Sequence, residues 1–215
     1  AVNAEQAAIA RHAVALAALQ ASVELAKASD EDTYENAVAA LRSGMQAAFT
    51  EMSKLRHDTA VAKIPHVVAH AQAALEENEG GKLVIFAHHT DVIAALEEEL
   101  ATFQPAVLVG DTAMTARQAA VDRFQTDPTC RVFLGSITAA GVGITLTAAS
   151  HVVFAELSWV PGDISQSEDR CHRISQKEMV LVQHIVLEDS LDATMAKRLV
   201  AKQAVIDAAL DTPGQ

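Results

Sequence analysis

Gly80-Gly81-Lys82-Leu83-Val84-Ile85-Phe86-Ala87-His88-His89-Thr90-Asp91 is the stretch on which the reading of this chain turns. Residues 83–87 form a short, unbroken apolar run, introduced by two glycines and closed by polar residues. A run of that length with no polar alternation suits a strand covered on both faces, and such strands belong to parallel sheets. Thr90 or Asp91 can cap a helix, which the pattern carries to about residue 101. A strand passing at once into a helix is the unit from which parallel sheets are wound.

The unit repeats downstream. Residues 106–109 predict a second strand, and Thr115 followed by Gln118 is a capping box for a helix through Phe124. Residues 131–134, 151–154 and 180–186 read as three more strands, and Ser190 caps a last helix to about residue 210. Upstream, Pro65 stands where a helix can begin, with Ile64, Val67, Val68, Ala71 and Leu75 as its apolar face. The first 60 residues carry only helical patterning. Val14, Leu16, Leu19, Val23 and Leu25 recur at helical spacing, and Asp30-Glu31-Asp32 opens a second helix over about residues 33–56. The expected organisation is a helical extension over 1–60, folded as a hairpin, and an α/β domain over 61–215 with a parallel sheet flanked by helices. Ligands of such sheets meet the carboxyl ends of the strands.

Composition narrows the functional classes. With 215 residues and half of them hydrophobic, the chain can bury a real core, built from Ala, Val, Leu and Ile because only 4% is aromatic. A net charge of −12 argues against a nucleic-acid partner unless the grip is local or lies elsewhere. Two cysteines form no disulfide framework and suit a reducing cytosol. No C-x-x-C exists and the adjacent Cys171-His172 pair chelates poorly, so no metal site is expected. No stretch has the length and apolarity of a membrane span, and the first twenty residues lack the basic start of a secretory signal.

Two segments after strands carry chemistry. In Gln166-Ser167-Glu168-Asp169-Arg170-Cys171-His172-Arg173-Ile174-Ser175-Gln176, a helix would put residues 166, 170 and 173 on one face. Two guanidiniums and an amide there form a phosphate clamp. The plain alternative is a solvated face with the arginines paired to Glu168 or Asp169. The second segment runs from Ser136 through Ile137, Thr138, Gly141, Gly143 and Thr145 to Leu146. Small residues and two glycines let backbone N–H groups approach a phosphate.

The arginine segment follows Trp159-Val160-Pro161, and together they resemble motif VI of superfamily 2 helicases in its Swi/Snf form. The family ends that motif in Ile-Gly-Gln, where this chain has Ile174-Ser175-Gln176, and has Asn where Val160 stands. Residues 136–146 resemble motif V, and 83–91 resemble motif IV. Gly110-Asp111-Thr112 with Arg117, Phe124 and Gln125 resembles the stretch between them. The resemblance covers about residues 60–210, in family order. Ala62-Lys63-Ile64-Pro65, Phe86-Ala-His-His89, Ser136-Ile-Thr-Ala-Ala140 and Phe154-Ala-Glu-Leu-Ser-Trp159 are most similar to the annealing-helicase, HARP-like branch.

The resemblance implies a RecA-like second motor lobe of a DNA translocase. It implies Arg170 and Arg173 as arginine fingers on ATP, Gln166 positioning nearby groups, and Gly141 and Gly143 at the nucleotide. It implies DNA contacts at Ser136, Thr138, Thr145, Arg117 and His89. Read by residue type alone, Arg117 is equally a surface arginine, and His88 and His89 satisfy local hydrogen bonds. No G-x-x-x-x-G-K-[ST] run is present, since Gly81-Lys82-Leu83 lacks the first glycine and the hydroxyl residue, and no acidic pair ends a strand. ATP and Mg²⁺ are therefore expected in an intact two-lobe protein, not held tightly by this lobe alone, which is expected to be inactive as an ATPase. The expected partners are a first lobe on the same polypeptide and duplex or branched DNA, with no membrane. The expected location is bacterial cytoplasm beside the nucleoid, or the nucleus in a eukaryote. Other readings stay open: a lobe of an RNA helicase or another superfamily 2 branch, a non-catalytic α/β interaction module, and a Rossmann-like enzyme, which would need a G-x-G-x-x-G absent here.

Overall fold

The structure is a computed structural model that describes residues 1–139, 144–158, 164, 166, 167, 170, 171 and 179–210, with side chains to residue 201. Its elements in chain order are helix α1 Val2–Ala26, α2 Glu31–Glu77, strand β1 Leu83–Ala87 and α3 Thr90–Glu99. A short 3-10 turn Ala101–Phe103 leads to β2 Ala106–Leu108, α4 Met114–Thr126, β3 Val132–Ser136 and β4 His151–Phe154. β5 Leu181–His184 and α5 Leu191–Leu210 complete the order. The chain divides into two compact units, Ala1–Thr59 with Asp189–Leu191, and Ala60–Glu188 with Asp192–Gln215.

In the first unit Asp30 opens α2. Its carboxylate accepts the Thr33 N–H and hydroxyl, each at 2.9 Å, which meets donors that a helix start leaves without partners. Gly44 lets α2 come close to α1, because a Cβ there would lie 2.6 Å from Leu19 Cδ1. Glu51 of α2 receives Arg11 and His12 of α1.

The second unit is built on a five-stranded sheet in the order β2-β3-β1-β4-β5. All four pairings are parallel, with Leu83 opposite both Val132 and His151. Alternate strand residues face opposite layers. Val84, Phe86, Phe133, Val152 and Phe154 enter one core with Leu108 and Phe124. Leu83, Ile85, Ala87, Val132 and Leu134 enter the other with Leu75, Ile93 and Leu96. Each fully buried Leu, Ile, Val or Phe contributes about 1.5–3 kcal/mol of transfer free energy, so covering both faces is what holds these short strands. Gly135 makes room in the first layer, since a Cβ on it would sit 2.8 Å from the Phe86 ring.

Lys63 of α2 is fully buried, and its Nζ donates to Asp192 of α5 at 2.6 Å and to the Ile185 carbonyl at 3.1 Å. Taking away one partner of such a pair costs about 3–5 kcal/mol, because the other charge is left buried.

Several expected boundaries shift. No helix begins at Pro65. α2 runs unbroken through it, as the buried Ala60, Lys63, Val67, Val68 and Ala71 hold the helix across the proline. The capping box at Thr115 does not form. α4 starts at Met114 with no side-chain cap, and Gln118 bonds Asp122 at 2.7 Å instead. The N-cap of α3 is His89, not Thr90 or Asp91. β2 stops at Leu108, β3 is shifted to Val132–Ser136, and β5 is shorter than expected at Leu181–His184.

Candidate functional site

Because all the pairings are parallel, every strand ends at the same edge of the sheet. Two backbone bonds extend the pairing past β1. Ala155 N–H donates to the Phe86 carbonyl at 2.9 Å, and Ile137 N–H donates to the Ala87 carbonyl at 2.9 Å. His88 and His89 therefore leave the sheet between Ser136–Thr138 on one side and Glu156–Ser158 on the other.

Glu156 organises this edge. Its side chain is 3% exposed. Oε2 accepts the N–H groups of His88 and His89, both at 2.9 Å, and Oε1 lies 2.6 Å from His89 Nδ1. A buried carboxylate without such donors would cost several kcal/mol. With them, it fixes the turn into α3 and the orientation of the His89 ring, which stays 28% exposed. The His88 and His89 rings meet edge to face at 5.0 Å. On the other flank Ser136 is buried and Thr138 exposed, with their hydroxyl oxygens 2.9 Å apart.

After β2, the Gly110-Asp111-Thr112 turn is closed by Val109 N–H donating to Thr112 Oγ1 at 3.0 Å. Arg117 Nε donates to the Thr112 carbonyl at 2.8 Å and one of its Nη groups to the Gly110 carbonyl at 2.6 Å. These bonds give Arg117 a structural task in holding the turn.

Thr145 is half-buried and Leu146 fully buried. Leu146 N–H donates to the Arg170 carbonyl at 2.9 Å, joining the two segments that carry the candidate chemistry. In the arginine segment Ile164, Gln166 and Ser167 are helical, while Arg170 and Cys171 stand in a turn closed by Arg170 N–H donating to the Ser167 carbonyl at 3.2 Å. The expected helix therefore does not carry through Arg170. Gln166 is exposed, Arg170 half-buried and Cys171 fully buried. Burial pushes the Cys171 thiol up to about 12 and also raises that of Cys130. Arg173, Gly141, Gly143 and the Trp159-Val160-Pro161 run lie outside the described residues.

Glu156 is the site residue that reading by residue type passed over. Its signal was a lone charge in the apolar stretch Phe154-Ala155-Glu156-Leu157 at a strand end, where burial demands partners. Among the described residues no three His, Cys, Asp or Glu side chains are grouped to hold a metal ion, and no helix is long and apolar enough to cross a membrane.

Residues 63–175 match the family described as "Helicase conserved C-terminal domain". The mouse protein "DNA annealing helicase and endonuclease ZRANB3" is 36% identical over 194 residues, which cover 89% of this chain and 18% of that protein. "SWI/SNF-related matrix-associated actin-dependent regulator of chromatin subfamily A-like protein 1 homolog" of Caenorhabditis elegans is 47% identical over 116 residues, 53% of this chain and 17% of that protein. The chain thus spans under a fifth of either relative. Among solved structures, "Crystal structure of the C-terminal part of Fun30 ATPase domain" superposes with a TM-score of 0.56 at 29% identity, over 60% of this chain and 43% of that one.

Proposed function

Since this chain belongs to the helicase conserved C-terminal domain family, we propose that it is the second motor lobe of an ATP-dependent translocase acting on duplex or branched DNA, of the Swi/Snf and annealing-helicase type. Residues 1–60 are its helical extension and 61–215 the RecA-like lobe. The bond from Leu146 N–H to the Arg170 carbonyl carries the reading, because it ties the segment proposed to touch DNA to the segment proposed to touch nucleotide.

ATP would lie between this lobe and a first lobe of the same polypeptide. Arg170 and Arg173 are the fingers that meet charge developing on the γ-phosphate, with Gln166 orienting neighbouring groups and the backbone at Gly141 and Gly143 approaching the nucleotide. Arginine fingers are worth about 10³- to 10⁵-fold in phosphoryl transfer. A half-buried guanidinium such as that of Arg170 keeps its charge and offers a planar fork to phosphate oxygens. Mg²⁺, which neutralises phosphate charge, would be held by the first lobe. Ser136, Thr138, Thr145, Arg117 and His89 are the proposed contacts to the DNA backbone. Most of these are neutral donors, which fits a chain of net charge −12. The relatives' organisms are eukaryotes, which favours a nuclear setting.

The test is Arg170→Ala, and separately Arg173→Ala, in a polypeptide that carries both lobes. DNA-stimulated ATP hydrolysis should fall by about 10³-fold or more with the melting temperature preserved. Turnover within twofold of the parent in a folded variant would sink the reading and leave the interaction-module alternative.

A further inference from the structure

Gln125, next to Phe124 near the end of α4, has no part in the mechanism above. Its side-chain amide is spent on one stretch of backbone. Nε2 donates to the Thr145 carbonyl at 3.0 Å and lies 3.3 Å from Thr147 Oγ1. Oε1 accepts the Ala148 N–H at 2.8 Å. One side chain thereby offers residues 145–148 the donor and the acceptor that a neighbouring strand would offer. Within that segment, Leu146 is fully buried and its N–H holds the Arg170 carbonyl at 2.9 Å.

Gln125 is itself well anchored. The Phe124 side chain is fully buried, with its ring 5.4 Å from that of Phe133, and Lys82 Nζ donates to the Phe124 carbonyl. A continuous set of contacts therefore runs from the core through α4 and Gln125 to residues 145–148, and on to the backbone of Arg170. The chemistry at residue 125 is restrictive. The position needs a donor facing Thr145 and an acceptor facing Ala148 at once, which an amide supplies. A carboxylate keeps the acceptor and turns an oxygen on the Thr145 carbonyl. A methionine has the length and neither polar group.

We propose that Gln125 is a positioning residue for Arg170. It does not touch nucleotide or DNA. It fixes the 145–148 segment, and that segment sets where the Arg170 backbone stands. The catalytic consequence rests on the finger reading of Arg170, whereas the geometric link stands on this chain alone, and the two are tested separately.

The link is tested by residue-resolved amide hydrogen exchange on the 215-residue chain, comparing the parent with Gln125→Met, Gln125→Glu and Gln125→Asn. In Gln125→Met the amides of Leu146 and Ala148 should exchange about tenfold faster, while Leu134 and Val153 in the sheet keep parent rates. Gln125→Asn should recover part of the protection and Gln125→Glu should not. Parent-like exchange at Leu146 in folded Gln125→Met overturns the link, as does an equal acceleration throughout the sheet, which would mark a loss of global stability alone. If Gln125→Met does not fold, the contrast between the Asn and Glu variants decides in the same way.

The consequence is read in a polypeptide carrying both lobes. There Gln125→Met should lower kcat for ATP about tenfold with the KM for DNA little changed, partly recovered in Gln125→Asn. Full kcat in Gln125→Met beside a dead Arg170→Ala overturns the positioning role. Activity in Arg170→Ala instead removes the finger reading and leaves the exchange result to judge the link.

Discussion

His184 shows at the residue scale how burial sets a titration. It ends β5 with its ring stacked on Phe154 at 5.1 Å, and its Nδ1 is buried with no hydrogen-bond partner among the described residues. Burial holds its pKa below the ordinary histidine value, since the charged form is less well solvated there. The unfolded chain takes up this proton near the ordinary histidine value of 6.5 and the folded chain only at lower pH. The contribution of His184 is therefore intact above that value, and it is lost as pH falls from there through the lowered folded pKa. His184→Phe should show a shallower fall in melting temperature between about pH 7.5 and 5.5 than the parent, by calorimetry. Parallel curves would count against this. The same scale shows what local patterns conceal. Ser136, Thr138 and His89 were legible as strand-end residues because the apolar runs before them are plain. The Glu156 bonds to His88 and His89 were not, because they join positions 67 and 68 residues apart in the chain. Nor does any spacing foretell that Arg117 turns onto the carbonyls of Gly110 and Thr112.

At the scale of elements, α2 carries a proline in its interior. Pro65 has no N–H for the Val61 carbonyl, and its ring crowds that group. Proline in a helix interior is less favourable than alanine by about 3 kcal/mol, offset here by the buried residues on either side of it. Pro65 is exposed, so Pro65→Ala removes no core contact and should raise stability by about 1–3 kcal/mol, read as a higher urea midpoint at unchanged slope. A lower midpoint would mean that the proline does something other than interrupt a hydrogen bond. This element also shows why the helix was expected to start where it does not. Proline is strong local punctuation, and only contacts made after folding, such as Lys63 with Asp192, override it. The strands were easier, because a parallel strand buried on both faces must be apolar throughout. Their ends were harder, since the last paired residue depends on a neighbour elsewhere in the chain. The order β2-β3-β1-β4-β5 follows from no single stretch.

For the whole molecule the governing fact is a charge of −12 on a proposed DNA-binding lobe. Such a chain repels DNA at long range, and only local contacts attract it. The isolated chain should bind duplex DNA weakly, and filter binding across about 50–200 mM salt should give a log–log slope shallower than about −4, as few phosphates are met. Tight binding indifferent to salt would contradict the proposed backbone contacts. Composition announced none of this positively. The family was legible from ordered motifs, while the charge alone pointed away from nucleic acid.

Both native thiols are sealed in the interior, with Cys171 and Cys130 held protonated at neutral pH. A cysteine placed at the exposed Pro128, in the turn that leads into β3 at the rim away from the candidate site, would then be the one sulfur open to a maleimide dye. Energy transfer from that dye to a second on the proposed first lobe would report each closure of the motor, with no native residue of this chain removed to make the measurement.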